Sequence, residues 1–218
     1  MFYNWQTAVH DAAARLGVGL SNYRYSERRA IVDLILRIKS QRKMAMGAVD
    51  GYQLYMAAKA TRNLTGAAAE VGVFEGATGR LIREALPGKP LHLCDTFAGM
   101  PDAQDGLAKG DFTGHLDKVK AYFRDDADIY FHRGLFPKET GHEVADQTFS
   151  FVHLDVDYYD ATLGCLEFFW PRMAPTGIIL THDFGAIPGA TRAFREFFTN
   201  QGMMIELSGL QAMAIKGF

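Results

Sequence analysis

The sequence predicts an α/β fold, a mostly parallel sheet with helices on both faces and a helical extension before it. Three observations point there. From Ala67 onward, strand-like runs ending near Val73, Asp95, Phe131, Asp155 and Thr181 alternate with helical or loop segments, the pattern of βαβ units with right-handed crossovers. The run Phe149-Ser150-Phe151-Val152-His153-Leu154 is apolar along its length and turns acidic only at Asp155-Val156-Asp157. A buried parallel strand that delivers charge to a crevice reads this way. Gly177-Ile178-Ile179-Leu180-Thr181 repeats the arrangement and ends in His182-Asp183. As strand residues two apart, Asp155 and Asp157 are expected to leave the same face.

Residues 1–63 read as the helical extension and residues 64–218 as the main domain, the whole forming one compact unit. Ile31, Leu34, Ile35 and Ile38 fall at i, i+3, i+4 and i+7, the apolar stripe of a helix. Arg24, Arg28, Arg29, Arg37, Lys39, Arg42 and Lys43 make this region basic, which reads as a solvated face. A further helical pattern from Tyr52 to Thr61 breaks at Asn63–Gly66. After Pro188, residues Ala190, Ala193, Phe194, Phe197 and Phe198 again form one apolar face. Met203–Leu207 and Gln211–Ile215, separated by Ser208-Gly209, are expected to pair antiparallel at one end of the sheet.

Composition narrows the setting. The 218 residues fit one domain, and 48% hydrophobic content can build its core. A net charge of −2 gives no pull toward nucleic acid or an anionic membrane. Cys94 and Cys165 each lie in an apolar segment, without the spacing of a metal knuckle or a disulfide framework. No apolar run approaches about 18 residues, and Met1–His10 lacks the character of a signal peptide. A cytoplasmic protein is the expectation, and the sequence is compatible with a homodimer.

The stretch Glu70-Val71-Gly72-Val73-Phe74-Glu75-Gly76 forms a glycine-bearing turn between a strand and a helix, where a ligand can approach backbone N–H groups. Such a turn also suits a dinucleotide. Glu70 and Glu75 disfavour a pyrophosphate beside it and tolerate a cation. Asp95 ends the next strand, about 20 residues on, where an acid grips ribose hydroxyls. A nucleoside with positive charge in place of phosphates indicates S-adenosylmethionine.

The motifs Glu70–Gly76, Asp95-Thr96-Phe97-Ala98-Gly99-Met100-Pro101, Gly110-Asp111-Phe112, Gly134–Thr140 and Leu154–Tyr159 occur in that order. Together they resemble the macrocin O-methyltransferase family, metal-dependent sugar O-methyltransferases of antibiotic pathways. The resemblance implies a Rossmann-like class I methyltransferase with a seven-stranded sheet whose last strand is antiparallel. It implies that Glu70, Gly72 and Gly76 surround the methionine part of the cofactor, and Glu75 and Asp155 are further expected cofactor contacts. Asp95 and Thr96 would serve the ribose, and Gly134, Leu135 and Phe136 the adenine side. It also places metal ligands at Asp155 and at the pair ending the next strand, with the general base at Asp157.

An unactivated hydroxyl is a poor nucleophile, so the site needs a base or a metal that lowers its pKa. Asp155 and Asp157, held close, call for a divalent ion or a raised pKa. Where the family carries two acids in a row, this chain has His182-Asp183. Oxygen ligands suit Mg²⁺, whereas an imidazole shifts preference toward Mn, Fe, Co, Ni or Zn. Two roles for His182 stay open: a metal ligand with Asp155 and Asp183, or the base itself. The expected substrate is a small hydroxylated acceptor, a sugar or other natural product. The alternatives are an NAD-dependent oxidoreductase using the same turn and Asp95, or a catalytically inactive methyltransferase-like binding protein. His153 reads as a core histidine. Tyr158 and Tyr159 read either as acceptor contacts or as a helix start. His132 and Arg133 are expected either at the adenosine or in solvent, and Gly99–Gly114 either as a lid or as a plain loop.

Overall fold

The computed structural model describes residues 9, 12, 13, 15, 16, 26–103, 106–199, 201 and 203–217. Most of Met1–His10, and so the reading of it as no signal peptide, lies outside them. From Ser26 on, the described elements begin with two helices, α1 (Ser26–Gln41) and α2 (Ala48–Ala60). Then follow β1 (Ala67–Val71), α3 (Ala77–Ala85), β2 (Leu91–Asp95), α4 (Leu116–Tyr122), β3 (Ile129–Arg133), β4 (Phe149–Leu154) and α5 (Tyr159–Phe169). β5 (Met173–Thr181), α6 (Pro188–Phe198), β6 (Met203–Glu206) and β7 (Ala212–Ile215) complete the described chain.

The strands form one seven-stranded sheet in the order β3-β2-β1-β4-β5-β7-β6. β1 to β5 pair parallel, while β7 pairs antiparallel with both β5 and β6. The expected antiparallel tail pair is present, with β7 inserted between its partner and the parallel strands. Strand order reverses between β1 and β4, so their carboxyl ends diverge into the crevice where α/β sheets bind ligands.

Strand alternation sends successive residues to two separate helical layers. On one face Ala68, Leu91, Leu93, Phe151, Ile178 and Leu180 pack with Leu81 and Ile82 of α3. Ile31, Ile35 and Ile38 of α1 and Leu54 of α2 join that same cluster. The N-terminal helices therefore complete one layer of the sandwich, which explains the predicted stripe on α1. On the other face Ala69, Val71, Val152, Leu154 and Ile179 pack with Cys165, Leu166 and Phe169 of α5 and Phe194 and Phe198 of α6. Both cysteines are buried and free. Among the described residues, no helix is long and apolar enough to cross a membrane.

Candidate active site

Four strand ends build the site. The Asp155 N–H donates to the Val71 carbonyl at 2.9 Å, and the His182 N–H to the Leu154 carbonyl at 2.8 Å, so the ladder carries on past β1, β4 and β5. Gly72 lets these ends close. A Cβ on it, at φ +90, would lie 1.9 Å from the Asp155 carbonyl oxygen. Beyond the ladder the backbone turns left-handed at Phe74 (φ 51), Phe97 (φ 55), Asp157 (φ 59) and Asp183 (φ 59). Backbone outliers of this kind in residues other than glycine concentrate at functional sites. They also correct one expectation. β4 stops at Leu154, so Asp155 and Asp157 do not share a strand face, and the turn at Asp157 aims each carboxylate separately.

The ends open on a cavity of about 230 Å³ that Val71, Gly72, Asp95, Thr96, Gly134, Leu135, Phe136, Asp155, Asp157, His182 and Asp183 all help to line. At its acidic end His182 Nδ1 lies 3.1 Å from Asp155 Oδ1 and 3.0 Å from Asp183 Oδ2. One ligand atom from each of the three residues lies within 4.8 Å of the others. Burial alone would raise Asp155, but the imidazolium charge and hydrogen bond of His182 hold it well below the usual carboxylate range. Burial would likewise lower His182, and the carboxylates of Asp155 and Asp183 outweigh it and raise it strongly. Asp157 behaves in the opposite way. Burial, the charge of Asp155 and contact with Asp183 push it up to about 8. Without a divalent ion, one proton on His182 and one on Asp157 relieve the crowding of carboxylates. An ion suits the same donors, since cis ligands of an octahedral ion with bonds of about 2.1 Å stand about 3 Å apart.

At the cofactor end, Asp95 is bound to backbone. Its Oδ2 accepts the N–H groups of Val73 at 2.7 Å and Phe74 at 2.8 Å, and its Oδ1 that of Phe97 at 2.7 Å. A carboxylate has about four acceptor positions, which leaves one for a ligand hydroxyl. The Thr96 hydroxyl caps its own turn by accepting the Ala98 N–H at 3.1 Å. The Gly134 N–H donates to the Asp95 carbonyl at 3.0 Å, and Phe136 stacks on Phe169 with ring centroids 5.0 Å apart.

Three of the expected cofactor-binding residues, Glu70, Glu75 and Gly76, fall outside the cavity lining. Glu70 is fully buried with its Oε1 3.0 Å from His153 Nδ1, which places both in the layer beneath the turn. Burial raises Glu70 above its ordinary value. Glu75 Oε2 accepts the Lys43 N–H at 3.0 Å. Gly76, left-handed at φ 80, starts α3 and packs toward Val119 and Phe123. His132 goes neither to adenosine nor to solvent. Its Nε2 lies 2.9 Å from His92 Nδ1 and its Nδ1 2.6 Å from Glu143 Oε2, while Arg133 is exposed.

Tyr158 lines the cavity and donates its hydroxyl to the Asp102 carbonyl, whereas Tyr159 turns outward to Glu196 Oε2 at 2.6 Å. Met100, Pro101, Leu107 and Phe112 of the 99–114 loop help to line the cavity, while Asp111 and His115 are exposed and do not line it. Sequence reasoning missed Lys43, Met44 and Ala45, which join α1 to α2 and form one wall. The bond from Lys43 to Glu75 draws them in, and no local pattern signals a contact so distant in the chain. Ile187, before α6, was missed for the same reason.

Residues 45–216 match the family described as Macrocin-O-methyltransferase (TylF). The chain belongs to that family. A curated relative from Streptomyces olivaceus, 8-demethyl-8-(2,3-dimethoxy-alpha-L-rhamnosyl)-tetracenomycin-C 4'-O-methyltransferase, is 25% identical over 166 residues. That match takes in 67% of this chain and 63% of the relative, so the chain spans less than two thirds of the relative's length. Among solved structures, the O-methyltransferase NovP superposes with a TM-score of 0.67 at 21% identity, covering 80% of this chain and 82% of NovP. CalS11, a calicheamicin methyltransferase, gives a TM-score of 0.64 at 17% identity, covering 92% and 98%. These likenesses establish the fold, a seven-stranded class I methyltransferase sheet with its last strand antiparallel.

Proposed function

We propose that this protein is an S-adenosylmethionine-dependent O-methyltransferase that methylates a hydroxyl of a small polyhydroxylated natural product, such as a sugar-bearing metabolite, with help from a divalent ion. One observation carries the reading. A single cavity at the strand-order switch joins the Asp95-held glycine turn to the Asp155, Asp157, His182 and Asp183 cluster. The family and the sugar-modifying relative set the reaction class.

Asp155, His182 and Asp183 would hold the ion, Mg²⁺ or one of the metals that accept imidazole. Bound there, it supplies Lewis acidity that lowers the pKa of an acceptor hydroxyl. Asp157 would take the proton of the acceptor hydroxyl, whose oxygen gains the methyl group that S-adenosylmethionine supplies when bound. His182 is the poorer base, because its Nδ1 stands between two carboxylates and its Nε2 is buried. The remaining acceptor position of Asp95 suits a ribose hydroxyl. Apolar walls from Met44, Met100, Phe112 and Ile187 keep water from the reacting carbon.

The test is a thermal-shift series with S-adenosylhomocysteine, NAD⁺ and divalent ions, followed by methyl-transfer assays on glycosylated and free vicinal diols. S-adenosylhomocysteine should raise the melting temperature, because a ligand bound only by the folded state stabilises it. Stabilisation by NAD⁺ alone would overturn the reading. Turnover that survives exhaustive chelation would remove the ion from it.

A further inference from the structure

The row of residues closing the carboxyl ends of the sheet continues beyond His182. β5 and β7 pair Leu180 with Met213 and Thr181 with Ala212, so the next position sets His182 opposite Gln211. The Phe184 N–H donates to the Leu210 carbonyl at 3.0 Å, which keeps the two chains together past that point. Leu180 and Met213 belong to the core under α1, α2 and α3, and alternation places His182 and Gln211 on that same face. Opposite residues of an antiparallel pair have Cβ atoms about 5 Å apart, within reach of an imidazole and a long amide. Both side chains are buried, with His182 at 5% and Gln211 at 0% exposure. His182 Nε2 and both amide atoms of Gln211 have no hydrogen-bond partner among the described residues, one another included. Buried polar atoms rarely stay so.

We infer that Gln211 is the positioning residue for His182 in the ion-loaded site, where its amide would turn to receive the imidazole Nε2–H and so keep Nδ1 toward Asp155 and Asp183. The inference rests on the metal reading above. An imidazole that ligates through Nδ1 carries its proton on Nε2 and requires an acceptor there, which fixes both tautomer and ring orientation. A neutral amide is also the chemically suitable partner. Its carbonyl oxygen accepts the Nε2–H without taking the proton from the ring.

The test compares Gln211→Leu, which removes the acceptor at similar size, with Gln211→Glu, which keeps it, and Gln211→Met should the leucine variant fold poorly. Mn²⁺ and Zn²⁺ affinities are measured by calorimetry on protein saturated with S-adenosylhomocysteine, whose own affinity reports an intact fold. The leucine variant should bind both ions about 10- to 100-fold more weakly, with S-adenosylhomocysteine affinity within about twofold of wild type. The glutamate variant should retain most of the metal affinity. Wild-type metal affinity in the leucine variant, or an equal loss in both variants, overturns the inference alone. A wild-type protein that binds neither ion overturns the metal reading and this inference with it.

Discussion

Gly72→Ala tests how the two halves of the site are joined. The new Cβ would stand 1.9 Å from the Asp155 carbonyl oxygen, at a residue with φ +90. A carbon and an oxygen in contact need about 3.3 Å, so one strand end has to retreat by more than an ångström. The left-handed backbone costs about 1–2 kcal/mol for a residue with a Cβ, and the overlap adds about 1–3 kcal/mol. A total of about 2–5 kcal/mol corresponds, in a chain of this size, to a fall in melting temperature of about 5–20 °C. Gly88→Ala is the matched control. Its φ is +75 and nothing lies within 4 Å of its Cβ, so only the backbone cost applies. Melting curves of both variants should be followed by Mn²⁺ titration, since moving the Asp155 backbone moves its carboxylate. If Gly72→Ala melts within about 2 °C of Gly88→Ala and binds the ion as the wild type does, the close approach does not hold the site together.

Further outcomes follow from other contacts. Asp157→Asn should slow methyl transfer by about 10²- to 10⁴-fold while sparing ion affinity, measured by single-turnover kinetics and calorimetry. A near-normal rate there, with a severe loss in His182→Ala, would move the base to His182. Asp95→Asn replaces two acceptor oxygens by one, so a turn amide loses its partner, at a cost of about 1–3 kcal/mol. Chemical denaturation and a weakened S-adenosylhomocysteine affinity should both show it. His92 gives a pH signature, since burial and the neighbouring His132 push it down to about 4. Between about pH 6.5 and 4 the unfolded chain holds the proton and the folded one does not, so stability falls as pH falls, by up to about 3 kcal/mol. His92→Phe should lose stability less steeply than wild type across that window, and parallel denaturation profiles would refute this.

Much of the fold was legible because the hydrophobic pattern is periodic. Apolar runs ending in charge marked β4 and β5, the i, i+3, i+4, i+7 stripe marked α1, and a serine-glycine turn marked the final pair. The chemistry-bearing residues were legible for the same reason, since charge at the end of a buried strand has few places to go but the crevice. The side-chain directions were not. Asp157 and Asp183 leave the strand pattern through a left-handed turn, and no period records a single backbone rotation. Nor did charge type reveal that Glu70 turns inward to His153, or that Asp95 serves backbone amides before any ligand.

By itself, then, the sequence determined the order of strands and helices, the family, and the identity of the groups available to the site, because all of these follow from local periodicity and short motifs. Only the tertiary structure decided which groups meet. The close approach of Gly72 to the Asp155 carbonyl, the wall formed by Lys43, Met44 and Ala45, and the register that sets Gln211 opposite His182 are contacts between segments far apart in the chain. Packing brings such segments together through the burial of the whole core, which no single stretch of sequence encodes.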